Sequence, residues 1–289
     1  MSRVHDALRR AEQGGPAPGD DSPRKPADRG SEFPPPGGPQ DNLPPVRLNI
    51  HAGMLNEAAA VPYAPAEQSH LLDLHNSYQT PAEEFRTLRT RLNHLQTMQP
   101  LHSVVVTSPL PAEGKTFTAV NLAVAQSQLA ETSVLLADFD LRRPTIHKLL
   151  QIERSPGLSD FLGGHATFAE VLRRVEGMNL YFLPAGSPVK NPLELLNLRQ
   201  TKALFEELPH VFNWAIFDTP PLLFSADANL LATMADGTIL VVKIGATTFD
   251  NVTRAMQSLC ENNVLGIVAN GARASELYSK YTYYYSKAE

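Results

Sequence analysis

The sequence predicts an α/β fold, a doubly wound and mostly parallel sheet flanked by helices, on three observations. Its strand-like runs are unbroken stretches of Val, Ile, Leu and Phe, the mark of strands covered on both faces. Between them lie stretches with apolar residues at helical spacing, the pattern of βα units. Two of the runs end in aspartate and a third leads into a Gly-Lys-Thr turn, so polar chemistry collects at strand ends.

Size and composition narrow the classes. With 289 residues and 43% hydrophobic content, the chain has enough apolar material for a substantial core. A formal net charge of -5 argues against a general nucleic-acid binder, whose affinity comes from many Lys and Arg contacts to phosphate. The one cysteine, Cys260, excludes an intramolecular disulfide and a cysteine-rich zinc cluster. No run approaches the ~18 to 20 apolar residues of a membrane span; the best, Thr238 to Val242, lies between Asp236 and Lys243. The start, MSRVHDALRR, has no signal-peptide core. The expectation is a cytoplasmic protein that meets the membrane only through a partner.

Taken in order, residues 1–13 read as a short amphipathic helix. Ser2 stands at its cap, Val4, Ala7, Leu8 and Ala11 lie on one face, and Arg3, Arg9 and Arg10 lie around it. About three turns are marginal alone, so this piece either folds on a partner or membrane surface or is a frayed end. Residues 14–68 read as a disordered Pro/Gly-rich linker, because 12 of the 24 prolines precede residue 66. The folded domain is expected over 69–275. Its first helix opens with a capping box, Thr80-Pro81-Ala82-Glu83, and carries Phe85, Leu88, Leu92 and Leu95 through about Met98. Strands are expected at Ser103–Thr107, Ser133–Asp138, Leu180–Leu183, Trp214–Asp218, Thr238–Val242 and Val264–Ala269. The tail at 276–289, ELYSKYTYYYSKAE, holds five of the eight tyrosines, Tyr278, Tyr281, Tyr283, Tyr284 and Tyr285. Leu277 is its one aliphatic core former, too little apolar surface to offset the entropy of ordering it.

After the strand VVVT comes Ser108-Pro109-Leu110-Pro111-Ala112-Glu113-Gly114-Lys115-Thr116, then the helical stretch FTAVNLAVAQSQLA. Strand, loop, Gly-Lys-Thr and helix make a P-loop, with Pro109 in place of the usual first glycine. Residues Ala112, Glu113, Gly114, Lys115, Thr116 and Phe117 are the expected phosphate-binding stretch: backbone N–H groups converge on phosphate, Lys115 adds positive charge, and the Thr116 hydroxyl ligates magnesium. VLLADFDLRRP puts Asp138 and Asp140 at one strand end, and WAIFDTPP puts Asp218 at another. Ligands bind outside the carboxyl ends of such strands, so the three carboxylates are expected to converge on one Mg-nucleotide.

Together PAEGKTFTAVNLA, ADFDLRRP, IFDTPP, AGSPVKNPLELL and the tyrosine tail resemble the bacterial tyrosine kinases, the BY-kinase family of capsule and exopolysaccharide autokinases, in their soluble form. The resemblance covers roughly residues 78–289. It implies ATP and Mg2+ as cofactors, with Lys115 and Thr116 on the phosphates and metal. Asp218 would hold the ion directly or through water, and Asp138 is a further metal ligand. Either Asp138 or Asp140 would take the proton of the attacking phenol, Asp138 being preferred. Arg142, at the family's DxDxR arginine, would stabilise the transferring group; otherwise it makes a surface salt bridge. Asn270, after the last strand in IVAN, would contact the base. Glu83, Arg86 and Arg89 match the family's ExxRxxR helix motif, which joins subunits in a ring where each tail reaches the next copy's site; otherwise they form a solvated face with an i,i+3 ion pair. The five tail tyrosines are the implied phosphoacceptors, and added phosphates would loosen the assembly by repulsion. The implied partners are further copies of the chain, a separate transmembrane polysaccharide co-polymerase or chain-length regulator as activator, and a phosphotyrosine phosphatase.

Two other readings compete. Partitioning and division-positioning ATPases carry KGGxGK[ST], but Leu110 stands where their additional lysine belongs, and they have no use for terminal tyrosines. An ATP-binding scaffold phosphorylated by another kinase would not need the full set of Lys115, Thr116, Asp138, Asp140 and Asp218. The aromatic tail alone also suits a docking strip, since tyrosine is favoured at interfaces.

Overall fold

The computed structural model of the chain describes residues 46–48, 50–66, 69–72, 81–259 and 264–272. The helix expected at 1–13, the linker up to residue 45, Thr80, Cys260 and the 276–289 tail lie outside the described residues.

The strands are β1 (Ala59–Val61), β2 (Ser103–Thr107), β3 (Val134–Asp138), β4 (Arg173–Val175), β5 (Leu180–Leu183), β6 (Trp214–Asp218), β7 (Gly237–Lys243) and β8 (Val264–Asn270). They form one sheet in the order β1-β4-β5-β3-β6-β2-β7-β8. Every neighbouring pair is parallel except β4 with β5, so β1 and β4 run against the other six at one edge. This is the expected α/β class. Each of the six anticipated strands is present, and β1 and β4 are additions.

Alternation along the strands divides the core in two. Val104, Val106, Leu136, Trp214 and Ile216 face one layer, where α1 (Ala82–Met98) and α2 (Lys115–Ser127) pack. Val105, Leu135, Ala137, Ala215 and Phe217 face the other, which includes Leu204 and Phe205 of α3 (Arg199–Glu207) and Leu231 of α4 (Ala226–Met234). Successive strand residues point to opposite faces, so an uninterrupted apolar run feeds both layers at once. From Thr118 to Ser127 every residue of α2 is buried, as a helix enclosed on all sides requires. It lies between the sheet and α1, joined to α1 by the edge-on contact of Phe117 with Phe85 and by Gln126 Nε2 donating to Asn93 Oδ1 at 3.0 Å. The α1 helix begins at Ala82, one residue later than the capping box implies, and ends at Met98 as expected. A third cluster joins Leu222, Leu240 and Ala228 to Ala255 of α5 (Phe249–Ser258).

The linker reading fails over 46–66. Ile50 and Ala58 are buried in the core, and β1 pairs with β4. Both oxygens of Glu207 at the end of α3 hold this segment, accepting from Leu48 N at 2.8 Å and Ile50 N at 3.0 Å. Ala66 N donates to Leu149 O at 2.9 Å, and the Tyr63 hydroxyl donates to Leu72 O at 2.9 Å. Proline-rich composition hides this segment, because much of its order comes from distant partners, Glu207 and β4, rather than from local propensity. For the same reason β1 and β4, three residues each, carry no apolar run to announce them.

Glu207→Ala is expected to lower stability by about 1 to 2 kcal/mol, since two N–H donors lose a charged acceptor that is itself half-exposed. In thermal unfolding this is a fall of roughly 2 to 6 °C, while Glu206→Ala, at an exposed neighbouring position, changes little. Equal midpoints for the two variants would remove the anchoring role of Glu207.

Candidate active site

Register assembles the site. Asp138, at the end of β3, pairs across to Asp218, at the end of β6, and Asp218 also faces Val106 of β2. Because β6 lies between β2 and β3, Asp218 stands between the loop leaving β2 and the Asp138–Asp140 turn leaving β3.

The loop from Ser108 to Gly114 is bound into shape largely by its own side chains. Ser108 Oγ donates to Leu110 O at 2.6 Å, and the buried Glu113 accepts from Leu110 N through Oε2 at 2.7 Å. Glu113 Oε1 accepts a short hydrogen bond from the Thr247 hydroxyl, and Thr247 Oγ1 accepts from Lys243 N at 2.8 Å. The loop is thereby tied to the turn between β7 and α5. Asn270, at the end of β8, donates through Nδ2 to Glu113 O at 2.9 Å. Gly114 has φ +98°, and a Cβ there would run into the Asn270 amide, so two independent constraints demand glycine. Ala112 also has positive φ, at 62°.

At the start of α2, Lys115 Nζ lies 2.9 Å from Asp140 Oδ2 and 3.4 Å from Asp218 Oδ1. The Thr116 hydroxyl donates to Asp218 Oδ2 at 2.6 Å. Burial pulls the Lys115 pKa down, but Asp218 and Asp140 outweigh it and hold the ammonium above its ordinary value. Burial raises Asp218, against the opposing pull of Lys115. Asp138 is pushed well above the usual carboxylate range, first by complete burial and then by Asp218.

The fully buried Asp138 carboxyl is engaged at both oxygens by backbone N–H groups. Its Oδ1 accepts from Asp140 N at 3.2 Å, and its Oδ2 accepts from Thr145 N and Ile146 N, each at 3.2 Å. These bonds turn the carboxyl into the chain after β3 and fasten that turn. It is Asp140, two residues on, that lines the cleft beside Lys115 and Thr116. Arg142 lines the cleft too, but its guanidinium makes a two-point contact with fully buried Asp227, Nε to Oδ2 at 2.7 Å and Nη2 to Oδ1 at 3.0 Å.

The cleft, about 700 Å³, is lined on one side by Lys115, Thr116, Phe117, Asp140, Arg142 and Arg143 and on another by Pro220, Pro221 and Phe224. The residues fit a magnesium nucleotide on their chemistry. Three carboxylates around one lysine leave a deficit of positive charge, and a Thr hydroxyl bonded to an Asp oxygen is a hard-oxygen pair suited to Mg2+. Among the described residues no three His, Cys, Asp or Glu side chains form a self-sufficient metal cage.

Some anticipated residues are not drawn together. Asn270 braces the phosphate loop through its amide nitrogen. Exposed Glu83 pairs with partly buried Arg86 on α1 by an i,i+3 contact. Arg89 Nη1 donates to Ala125 O at 2.8 Å near the end of α2. Sequence reasoning missed Thr247 and Asp227. Each lies in a Ser/Thr-containing stretch opening a helix, a legible capping signal, but nothing local points to Glu113 or Arg142 as partners.

No family model matches the chain. It is similar to tyrosine-protein kinase YwqD of Bacillus subtilis, with 36% identity over 208 residues that cover 71% of this chain and 87% of that protein. Similarity to tyrosine-protein kinase wzc of Salmonella typhimurium is 32% over 222 residues, 75% of this chain but 31% of that longer protein. Among solved structures, the chimerical protein CapA2B2 matches with a TM-score of 0.65 at 27% identity, covering 74% of this chain and 94% of that one. The kinase domain of Escherichia coli ETK matches with a TM-score of 0.64 at 27% identity, covering 78% and 95%.

Asp138→Ala is expected to cost about 2 to 4 kcal/mol, because two buried N–H groups and one part-buried one lose their acceptor. Chemical denaturation measures this directly, and a midpoint equal to that of the unmodified protein would mean the turn after β3 does not depend on Asp138.

Proposed function

The chain belongs to the bacterial tyrosine-protein kinase family, and we propose that it transfers the γ-phosphoryl group of Mg-ATP to its own tail tyrosines, Tyr278, Tyr281, Tyr283, Tyr284 and Tyr285, in a neighbouring copy. The observation that carries this reading is the network of Lys115, Thr116, Asp140 and Asp218 at one sheet end, at the N-terminus of a buried helix.

Each group has work to do. The N–H groups opening α2 and the Lys115 ammonium bind the phosphates, and Lys115 draws charge from the oxygens of the group in transfer. Thr116 and Asp218 would hold Mg2+, which when bound would supply positive charge to the phosphates. When nucleotide enters, Lys115 exchanges its carboxylate partners for phosphate oxygens, which leaves Asp140 able to accept a proton. A phenol with a pKa of about 10 is protonated at neutral pH. Its oxygen forms the new bond to the γ-phosphorus as the bond to the departing ADP oxygen breaks, and its proton passes to Asp140. Arg142, fixed by Asp227, supports the wall of the cleft beside Asp140.

The copies associate through the Glu83 and Arg86 face of α1, with Arg89 fastening that helix to α2. A separate transmembrane chain-length regulator supplies activation and location, in keeping with similarity to the chimerical protein CapA2B2. Among the described residues no helix is long and apolar enough to cross a membrane. The phosphorylated tail loosens the assembly, a phosphatase restores it, and the cycle governs exopolysaccharide synthesis and export.

Incubated with ATP, Mg2+ and the regulator's cytoplasmic segment, the protein is expected to gain phosphate within residues 278–285 by mass spectrometry of the C-terminal peptide. Lys115→Met abolishes this, and Asp140→Asn slows it by about 100-fold, the lower range for loss of a general base. Labelling of Lys115→Met at the rate of the unmodified protein would end the autokinase reading. Glu83→Ala combined with Arg86→Ala is expected to lower the oligomer mass in light scattering; an unchanged mass would remove this face as the contact.

A further inference from the structure

Phe224 is 67% exposed at the cleft that holds Lys115 and Asp140, although a free aromatic ring in water forgoes the stabilisation of burial. The ring stands on a fixed mount. Phe224 N donates to Pro221 O at 3.2 Å, Leu223 N to Pro109 O at 3.3 Å and Leu222 N to Ser108 O at 2.9 Å, so its turn is stitched to the phosphate loop itself. On its other side, Ser225 Oγ accepts from Asp227 N at 3.1 Å and from Arg142 Nε at 3.2 Å. With Pro220 and Pro221 the ring makes an apolar wall, facing a cleft whose other lining residues include Lys115, Asp140 and Arg143.

We infer that this wall is the subsite for the acceptor's aromatic ring, occupied by a tyrosine of the 278–285 segment of this chain's sequence. The inference rests on the kinase reading above and adds to it the feature that selects tyrosine. A phenol is apolar along its body and polar at its tip, which matches a ring platform beside a carboxylate and a lysine. Serine and threonine have no ring to set there. The described chain leaves β8 beside the phosphate loop, where Asn270 touches Glu113, so the tail departs from the end of the sheet that carries the site. Tyr281 follows Ala272 by nine residues, a reach of up to about 30 Å when extended.

The test uses the full chain and a synthetic peptide of residues 276–289, fluorescently labelled, with Mg2+ and a non-hydrolysable ATP analogue. Phe224→Ala is expected to weaken peptide binding roughly tenfold, within the range for an aromatic pair plus the area it covers. Phe224→Tyr restores it to within about twofold, and a peptide with its five tyrosines replaced by alanine fails to bind either protein. With ATP in place of the analogue, the same loss appears in the peptide KM, while the ATP KM and the unfolding midpoint stay unchanged. Equal peptide binding by the unmodified and Phe224→Ala proteins overturns the subsite, as does a peptide that does not bind the unmodified protein. A raised ATP KM also overturns it, assigning the ring to the nucleotide. If the peptide binds through Phe224 yet never gains phosphate, the subsite stands and the kinase reading fails.

Discussion

The Lys115 ammonium sits among the carboxylates of Asp140, Asp218 and Asp138 where adjacent strands end, and the burial of that cluster depends on it. Carboxylates removed from water are costly unless paired and hydrogen-bonded. Lys115 and Thr116 pair two of them, and backbone N–H groups satisfy the third. The compensation is incomplete, since negative groups outnumber the lysine and burial raises both Asp138 and Asp218. That shortage of positive charge makes the site receptive to a divalent cation carrying its own polyanion. A neutral, fully paired cluster would be more stable and less useful.

The same economy governs the phosphate loop. A loop that must present N–H groups to a ligand cannot spend them all on itself, so side chains hold it from behind. Glu113 reaches Leu110 on one side and Thr247 on the other, and Asn270 supports the Glu113 carbonyl. The 222–224 turn is sewn to Ser108 and Pro109. Segments following β2, β6 and β7 and the end of β8 are therefore hydrogen-bonded together around the helix end, with the Pro109 carbonyl accepting from Leu223 N.

Charged residues that look alike in a motif separate by environment. Arg142 is committed to buried Asp227, Arg143 stays exposed at the cleft, and Arg89 spans two helices to a carbonyl, whereas Glu83 and Arg86 remain on the exposed face of α1. Asp138 and Asp140 differ in the same manner. One belongs to the turn that the other presents to the cleft. The distinction lies in which backbone groups surround each carboxyl, and two residues of sequence separation are enough to reverse its direction.

The six parallel strands, the two-layer core and the phosphate loop were legible in the sequence, because uninterrupted apolar runs and Gly114-Lys115-Thr116 are local patterns with local physical causes. The gathering of Lys115, Thr116, Asp140 and Asp218 was legible as well, since strand ends in such a sheet face one cleft. What only the tertiary structure decided depends on residues far apart in the chain. The pairing of β1 with β4, the hold of Glu207 on Leu48 in the proline-rich segment, the Glu113–Thr247 brace and the Arg142–Asp227 pair each join groups separated by 85 or more positions. Periodicity and propensity describe what a residue prefers among its neighbours, but a hydrogen bond across such a distance exists only once packing has brought both partners out of water together.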